Sequence, residues 1–293
     1  MEYVTAKTIV YKDKSSAWFG SDYKMNIYRG CCHGCIYCDS RSDCYRIDDF
    51  DKVHAKENAL EIIRNDLRRK VRKGVIVTGA ASDPYNPFEE KLLLTRHSLE
   101  LINAYEFGVG ISTKSPLITR DIDVLEEIAE HSPVIAKMTI TAADDKISKL
   151  IEPNVAPSSQ RFEALKKLAD NGIYSGILMM PILPYVTDSE ENILKIIDMA
   201  AESGAKFIYA YFGLTMRAGQ REYMYQKLDE SFPGLKQKYI RDYGDKYQCA
   251  SKNSRKLYNI FKAECEKRGI LYKMADIIKS YRMGYENTQL KFF

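Results

Sequence analysis

Residues 28–38 read YRGCCHGCIYC, in which Cys31, Cys35 and Cys38 follow a CxxxCxxC spacing. Thiolates this close in the chain can face one metal centre if they lie on a loop. Gly30, before the first cysteine, and Gly34, before the second, give the backbone the freedom to form such a loop. Zinc would need a fourth ligand to close a tetrahedral site. A cuboidal iron–sulfur cluster held by three thiolates would instead leave one iron free to bind another molecule.

Cysteine usage in the rest of the chain supports a metal or redox site. Five of the seven cysteines lie within residues 31–44 of the 293-residue chain. An odd, clustered set argues against a disulfide framework. A structural zinc ion with Cys44 or His33 as its fourth ligand remains the alternative to an iron–sulfur cluster. Cys265 lies on an amphipathic stretch, where we expect it to pack as a small apolar side chain.

The composition is that of an ordinary globular protein, with 45% hydrophobic and 29% charged residues, so neither disorder nor a fibre is indicated. The longest apolar stretches, such as residues 176–183, are far shorter than the ~20 residues that span a bilayer. The N-terminal stretch MEYVTAKTIVYKDK has neither an apolar run nor a small-residue cleavage site. We therefore predict a cytoplasmic protein with no membrane partner.

Strand and helix patterns alternate through the middle of the chain. Predicted strands lie at 23–28, 74–79, 108–113, 133–141, 173–180 and 206–212, and predicted helices at 56–73, 89–105, 121–131, 158–171 and 188–203. This alternation predicts βαβ units and a parallel sheet. Periodicity alone leaves an open doubly wound sheet and a partial barrel equally possible. Both folds bind ligands at the carboxyl ends of their strands.

The composition changes near residue 220. Residues 221–293 contain 16 Lys and Arg against 9 Asp and Glu, and nine of the 21 tyrosines. We predict a core domain at 1–218 and a basic, Tyr-rich helical extension at 219–293, with helices at 219–228, 251–268 and 275–285 and no strand after residue 213. Basic grooves with stacking aromatic rings suit nucleic acid, and solvated helix faces are the alternative.

The cysteine loop in this setting resembles the radical S-adenosylmethionine (SAM) superfamily. The loop follows a first strand, Tyr37 precedes the third cysteine, and a βα repeat follows. The strings NIYRGCCHGCIYC (26–38), SDPYNPFE (82–89), TKS (113–115) and MPILP (180–184) resemble the branch that includes spore photoproduct lyase. The resemblance covers about residues 23–213. It implies an α/β fold, a partial (β/α)6 TIM barrel with a helical C-terminal extension.

The resemblance also implies the cofactors and the chemistry. In this family the three cysteines hold a 4Fe–4S cluster, and the amino and carboxylate groups of SAM bind the fourth iron. An electron from a reductant such as flavodoxin or ferredoxin cleaves SAM to methionine and a 5′-deoxyadenosyl radical. That radical abstracts a hydrogen atom from the substrate.

The same resemblance places SAM at the strand ends. The metal ligands would be Cys31, Cys35 and Cys38, and the residues expected to contact SAM are Tyr37, Thr78, Gly79, Ser112, Lys114, Thr139, Thr141, Pro181 and Ile182. Lys114 would meet the SAM carboxylate in a charge-assisted contact. Glu152 and Arg161 are expected to form a structural ion pair, and Asp83 to cap a loop.

One departure from the branch concerns the return of a hydrogen atom to the product. Spore photoproduct lyase has a cysteine at the end of its second strand for this step, and Ala80 occupies that position here. The tyrosines that we expect to act as a hydrogen-atom relay instead are Tyr85, Tyr209 and Tyr211. Cys44 is a further candidate donor, with a bystander thiol as the alternative.

The C-terminal residues Gln289-Leu290-Lys291-Phe292-Phe293 resemble the peptide by which bacterial DNA repair proteins bind the sliding clamp. Gln289, Leu290, Phe292 and Phe293 would be the anchors of such a peptide. Together with the basic extension, this resemblance favours DNA as the substrate of a repair or modification reaction. Two alternatives remain: a radical SAM enzyme that modifies a peptide or small metabolite, and a zinc-stabilised binding module without catalytic activity.

Overall fold

The computed structural model of the chain describes residues 2–15 and 17–285. Its strands are β1 (Glu2–Val4), β2 (Val10–Lys12), β3 (Tyr23–Met25), β4 (Tyr28–Arg29), β5 (His54–Lys56), β6 (Val75–Thr78), β7 (Gly108–Thr113), β8 (Val134–Thr139), β9 (Ser175–Met179), β10 (Phe207–Ala210), β11 (Gly213–Thr215) and β12 (Gln248–Ala250). The main sheet has the order β10-β9-β8-β7-β6-β3-β2. All neighbours in it are parallel except β2, which is antiparallel to β3 at one edge.

The helices are α1 (Ala59–Arg68), α2 (Glu89–Leu92), α3 (Leu94–Ala104), α4 (Ile122–Ala129), α5 (Asp145–Ile151), α6 (Ser158–Asp170), α7 (Glu190–Glu202), α8 (Gln220–Ser231), α9 (Leu235–Tyr243), α10 (Ser254–Arg268) and α11 (Met274–Tyr281). At least one helix separates each pair of consecutive parallel strands. These strands are neighbours in chain order, whereas the strand order of a doubly wound sheet reverses at a switch point. The predicted partial (β/α)6 barrel is therefore confirmed.

The helix predicted over 89–105 is divided in two at Leu93, which has a left-handed backbone with φ 52°. The buried carboxylate of Glu89 accepts a hydrogen bond from the backbone N–H of Thr95 at 2.9 Å, which satisfies a free donor at the start of α3. The local apolar periodicity continues across the break, so the sequence pattern did not reveal it. Helices α5 and α9 were also missed.

The expectation that no strand follows residue 213 is wrong. Strand β11 pairs with β12 in antiparallel register, with Leu214 opposite Cys249. Both of these side chains are buried. Each strand has only three residues, and the pairing joins segments more than 30 residues apart, so no local alternation signals it.

The C-terminal elements pack directly on the barrel. Leu257, Phe261 and Cys265 of α10 share a core with residues of α7, and α11 places Ile277 and Tyr281 against the barrel-interior residues. Cys265 is fully buried, as expected for a packed thiol. The proposed boundary between 1–218 and 219–293 stays a prediction. None of the helices within 2–15 and 17–285 has both the length and the apolar character of a membrane span.

Lys137 is an unusual component of the barrel interior. It lies on β8, two residues before Thr139 and therefore on the same face of the strand, and its side chain is only 1% exposed. Its Nζ lies 5.0 Å from the centre of the Phe19 ring and has no hydrogen-bond partner among the described residues. Burial lowers the pKa of Lys137 from 10.5 to about 7.

Replacing Lys137 by methionine should stabilise the protein. Because the folded chain binds this proton less tightly than the unfolded chain, the penalty is largest at and below pH 7 and disappears as the pH rises toward 10.5. We expect the free energy of unfolding to rise by up to about 4 kcal/mol at pH 7. Urea unfolding at several pH values tests this, with exposed Lys146→Met as control; a gain that does not shrink with increasing pH would contradict it.

Candidate active site

The cluster loop, residues 31–38, is held in place through its backbone. Cys31 N donates to Phe50 O at 2.8 Å, and Ile36 N donates to Ile151 O at 3.0 Å. Gly30 has φ 75°, and a Cβ there would lie 2.1 Å from a backbone oxygen, so only glycine permits this approach. The three thiols of the CxxxCxxC spacing are free, and the loop conformation does not depend on bonds between them.

The thiols lie in a largely dry environment. Cys35 is buried and Cys31 and Cys38 are partly buried. Burial, followed by the charge of Asp83, raises the pKa of Cys31 to about 12. A coordinating metal ion deprotonates such a thiol outright. Loss of these protons on metal binding would therefore convert three neutral groups into a compact set of anionic ligands.

Lys114 supplies the positive charge next to these thiols. Its Nζ lies 5.8 Å from the centre of the Tyr37 ring. Burial alone would lower the pKa of Lys114, but Cys35, Glu152 and Asp83 outweigh burial and raise it. The ammonium group therefore stays charged between the cysteines and the ends of the strands, where it can attract an anionic ligand.

Asp83 holds Lys114 at this position. One carboxylate oxygen accepts hydrogen bonds from Thr113 Oγ1 at 2.7 Å and Tyr85 N at 2.9 Å, and the other accepts from Lys114 N at 2.8 Å. The expected loop-capping role of Asp83 is what the structure shows. The same carboxylate lies 3.6 Å from Nδ1 of His33, so the capping group also contacts the cluster loop.

A buried network fixes Tyr37 from the opposite side. Arg161 and Glu152 form the expected ion pair at 2.6 Å, with both side chains at most 1% exposed. The hydroxyl of Tyr37 donates to the second carboxylate oxygen of Glu152. Arg161 also donates to Thr139 O at 3.0 Å, so the network joins the cluster loop to the end of β8.

A cavity of about 570 Å³ opens at the carboxyl ends of the strands. Such a volume suits a ligand of cofactor size. The sequence-predicted residues that line it are Tyr37, Gly79, Ser112, Lys114, Thr139, Pro181 and Tyr211, together with the metal ligand Cys38. The ends of five strands, β6 to β10, and the cluster loop therefore bring these residues to one place. Gly79 has φ 91°, and a Cβ there would lie 1.8 Å from Ser112 O, so this close approach requires glycine.

Other predicted site residues do not line this cavity. Thr78, Thr141 and Ile182 are buried in the surrounding core. The ring of Tyr209 packs edge-on against that of Trp18, with the two ring centres 5.3 Å apart. Tyr85 is buried and instead lines a second cavity, which it shares with His33 and Lys114. Of the three candidate relay tyrosines, Tyr211 is the one that reaches the larger cavity, and Ala80 lines it as well.

Sequence reasoning missed several residues that line the cavity. Trp18, the only tryptophan of the chain, lines it together with the apolar side chains Leu178 and Met180. The segment after the cluster loop and the paired strands β11 and β12 line the rest of it, through Asp39, Ser40, Tyr45, Leu214, Thr215, Tyr247 and Gln248. We call the exposed residues among these, Tyr45, Tyr247 and Gln248, the mouth of the cavity. Trp18 could have been noticed as the single tryptophan of the sequence, whereas no local pattern indicated the pairing of β11 with β12.

Cys44 lies beside this mouth and is exposed. Its Sγ contacts Ser42 Oγ at 3.1 Å and accepts a hydrogen bond from Arg217 at 3.0 Å. These two contacts lower the pKa of Cys44. The role of Cys44 as a hydrogen-atom donor stays a prediction. Cys249 is buried on β12, where its Sγ lies 3.6 Å from Lys246 O.

Comparison with known proteins identifies the family. A sequence model described as the radical SAM superfamily matches residues 25–211, well over half of the chain. The chain belongs to the radical SAM superfamily. An uncharacterized protein of Methanocaldococcus jannaschii is 32% identical over 218 residues, which cover 73% of this chain and 79% of the relative. An uncharacterized Mycobacterium tuberculosis protein is 28% identical over 243 residues, covering 80% and 71%.

Solved structures of spore photoproduct lyase share the fold. The complex with dinucleoside spore photoproduct superimposes with a TM-score of 0.66 at 15% identity, covering 92% of this chain and 81% of that chain. A variant solved with AdoMet and the same dinucleoside has a TM-score of 0.66 at 14% identity. At this identity the similarity concerns the fold.

The cofactors of this radical SAM protein are a 4Fe–4S cluster and SAM. The residues present fit them: three free thiols on one loop, the partly buried cation of Lys114 near them, and an adjoining cavity at the strand ends. No three His, Cys, Asp or Glu side chains within 2–15 and 17–285 are grouped to share a single metal ion. A cuboidal cluster does not require this, because each thiolate binds a different iron.

The sequence analysis predicted two protein partners, a sliding clamp and a reductant. The proposed clamp-binding peptide, residues 289–293, lies outside the described residues, and no comparison supports sliding-clamp binding. A reductant is typical of radical SAM enzymes, and its identity as flavodoxin or ferredoxin stays a prediction. The contacts of the lining residues with SAM are likewise proposals.

Replacing Lys114 by methionine should weaken SAM binding. The variant keeps most of the side-chain volume but removes the charge that would meet the SAM carboxylate. Because hydrogen bonds to charged groups contribute about 1.5–3 kcal/mol, we expect the dissociation constant to rise roughly 10- to 100-fold. Trp18 fluorescence measures it directly, since this tryptophan lines the cavity. The exposed variant Lys146→Met should bind like the wild type; equal affinity of Lys114→Met would refute the assignment.

Proposed function

We propose that this radical SAM enzyme abstracts a hydrogen atom from a nucleic-acid substrate, with DNA favoured and lesion repair or base modification as the reaction class. When bound, the cluster and SAM supply a 5′-deoxyadenosyl radical. The cluster loop and Lys114 would hold these cofactors at one end of the cavity. The substrate would then enter through the mouth, so the residues of the mouth carry the argument about its chemical class.

The observation that carries the proposal is a pair of exposed aromatic rings at the mouth, one of them beside Arg217, which also pairs with Asp39 at 3.3 Å. Tyr45 and Tyr247 line the cavity yet remain 42% and 46% exposed. The guanidinium of Arg217 lies 5.2 Å from the centre of the Tyr247 ring and donates to its hydroxyl at 2.9 Å. Exposed rings beside an arginine are suited to stack planar bases.

Exposed cations of the C-terminal elements support an anionic partner. Those on α9, α10 and the segment between them are Lys238, Arg241, Lys246, Lys252, Arg255 and Lys256. Arg241 and Lys252 pair with Asp242 and Lys256 pairs with Glu190, whereas no ion pair is described for Lys238, Lys246 and Arg255. Lys246 immediately precedes Tyr247, so one charge lies next to the stacking ring. Basic side chains of this kind neutralise phosphates and make binding dependent on salt.

Access to the radical imposes a condition on the substrate. The cavity lies at the strand ends, so a base inside a duplex is out of reach. The target nucleotide would have to be single-stranded or turned out of the helix. The solved spore photoproduct lyase structure is a complex with dinucleoside spore photoproduct, which is consistent with such a substrate here.

The test is an assay of 5′-deoxyadenosine with anaerobically reconstituted, reduced protein. We expect ultraviolet-damaged or single-stranded DNA to stimulate its formation, and a mixture of peptides to have no effect. Tyr247→Ala should lose most of the stimulation, while Tyr3→Ala, an exposed tyrosine on β1, should retain it. Stimulation by peptides alone would favour a peptide-modifying enzyme.

Binding itself provides a second, independent measurement. Fluorescence anisotropy with labelled single-stranded DNA should show affinity that falls steeply between 50 and 200 mM salt, by roughly tenfold or more if several phosphates are contacted. The double substitution Lys246→Gln, Arg255→Gln should reduce this salt dependence. Absence of DNA binding at low salt would refute the nucleic-acid proposal and leave the radical SAM chemistry untouched.

A further inference from the structure

The chain leaving the cluster loop is clasped by the start of the C-terminal extension. We call residues 37–46 and 215–223, which meet here, the clasp. Asp43 N donates to Ala218 O at 3.1 Å. Gly219 has φ 78°, and a Cβ there would lie 2.2 Å from Asp43 Oδ1. The two segments therefore approach so closely that a side chain at position 219 would separate them.

Gln220 lies at the centre of the clasp and is 1% exposed. Its Nε2 donates to Tyr37 O at 2.9 Å and to Thr215 O at 2.8 Å, and its Oε1 accepts from Arg217 N at 3.0 Å. Both amide protons and the amide oxygen are thus used. One side chain consequently joins Tyr37, the residue before Cys38, to Thr215 of strand β11, which lines the cavity.

A second contact strengthens the clasp three residues beyond the last cysteine. The guanidinium of Arg41 lies 3.7 Å from the centre of the Tyr223 ring and 4.9 Å from that of Phe50. It also donates to Asp51 at 2.8 Å. Helix α8 therefore contacts both the start and the end of this segment, and Cys38 lies between the two contacts.

Tyr37 is consequently fixed at both ends. Its hydroxyl is bound by Glu152 within the core, as described above, and its carbonyl is bound by Gln220. The carbonyl of Tyr37 belongs to the peptide that leads into Cys38. Movement of this peptide would displace the third thiol and the ring that lines the cavity, while leaving the other two cysteines in place.

We propose that Gln220 is a positioning residue for the cluster and for SAM, acting through the Tyr37–Cys38 peptide. It makes the C-terminal extension a part of the cofactor site, 183 positions away in the chain. The proposal rests on the cofactors of the family and is independent of the nucleic-acid substrate. Loss of the two donated hydrogen bonds should shift the cluster ligand without removing it.

The test compares Gln220→Met with Gln226→Met. Methionine keeps the volume of glutamine but cannot donate, and Gln226 is an exposed residue of the same helix that bonds to Glu230. At temperatures well below unfolding, we expect Gln220→Met to bind SAM about tenfold more weakly by Trp18 fluorescence. The electron paramagnetic resonance spectrum of the reduced cluster with SAM should also change. Gln226→Met should match the wild type in both measurements.

Two outcomes would overturn the proposal. If Gln220→Met unfolds at lower temperature yet retains the wild-type spectrum and SAM affinity, Gln220 is a purely structural residue. If that variant does not fold, Gln220→Asn keeps the amide but is too short to reach both carbonyls, and wild-type values for it would have the same meaning. DNA stimulation is not part of this experiment, so failure of the nucleic-acid proposal would not affect its result.

Discussion

Replacing Cys35 by alanine is expected to abolish both the iron–sulfur cluster and the formation of 5′-deoxyadenosine. Cys35 is the central cysteine of the CxxxCxxC spacing and is buried, so solvent thiols cannot easily substitute for it. Loss of a direct ligand should cost more than the roughly 10- to 100-fold typical of groups that only orient one. Iron and sulfide content, the resonance spectrum and the product assay measure this.

The matched control is Cys32→Ala. Cys32 lies in the same loop but outside the spacing; its backbone oxygen accepts from Asn154 Nδ2 at 2.9 Å, and its side chain packs against the core. We expect this variant to retain the cluster and its activity. Loss of the cluster in Cys32→Ala together with its retention in Cys35→Ala would show that the ligands are wrongly assigned. Stoichiometric zinc without iron in anaerobically prepared wild type would support the structural-zinc alternative.

The second large effect is expected for Glu152→Ala, measured on the protein without cofactors. This change leaves the guanidinium of Arg161 buried without its counter-ion and releases the hydroxyl of Tyr37. Breaking a buried pair by removing one partner typically costs 3–5 kcal/mol, and we expect a loss of about that size in the free energy of unfolding. Denaturant unfolding at pH 7 measures it.

The pH dependence follows from the same network. Burial alone would raise the pKa of Glu152, but Arg161 and Lys114 outweigh burial and lower it. The stabilisation is therefore fully present above the ordinary pKa of the carboxyl group and is lost as the pH falls through the lowered value. The difference in stability between wild type and Glu152→Ala should accordingly shrink in acid.

An exposed pair provides the control for Glu152. Glu191 and Lys195 form an ion pair at 2.6 Å on α7, with side chains 75% and 62% exposed. Exposed pairs of this kind contribute about 0.3–0.5 kcal/mol, so Glu191→Ala should change stability very little. Equal losses for Glu152→Ala and Glu191→Ala would mean that the buried network contributes nothing special.

Much of the fold was predictable from local patterns. The six parallel strands and the helices between them follow from apolar periodicity, which each segment carries within its own residues. The break at Leu93 was not predictable in this way, because the capping carboxylate of Glu89 satisfies α3 across the turn. The β11–β12 pairing was missed for a related reason: its partners are distant in the chain.

The candidate site was predictable only in part. The cysteine spacing and its glycines mark the cluster loop, and the ends of the strands mark the cavity. The sequence could not separate Tyr211, which lines the cavity, from Tyr85 and Tyr209, which do not. All three are tyrosines that follow or end a strand, and the packing of the barrel decides which ring reaches the cavity.

The sequence by itself determined the cysteine spacing of the cluster loop and the alternation of strands and helices. Both depend on spacings within a few residues: thiols three and four positions apart, and apolar side chains with a helical or strand period. Only the tertiary structure decided that Gln220 bonds to Tyr37, that Lys137 is buried with no hydrogen-bond partner among residues 2–15 and 17–285, and that the paired strands β11 and β12 line the cavity. These contacts join residues far apart in the chain, and they exist only when every intervening element has packed.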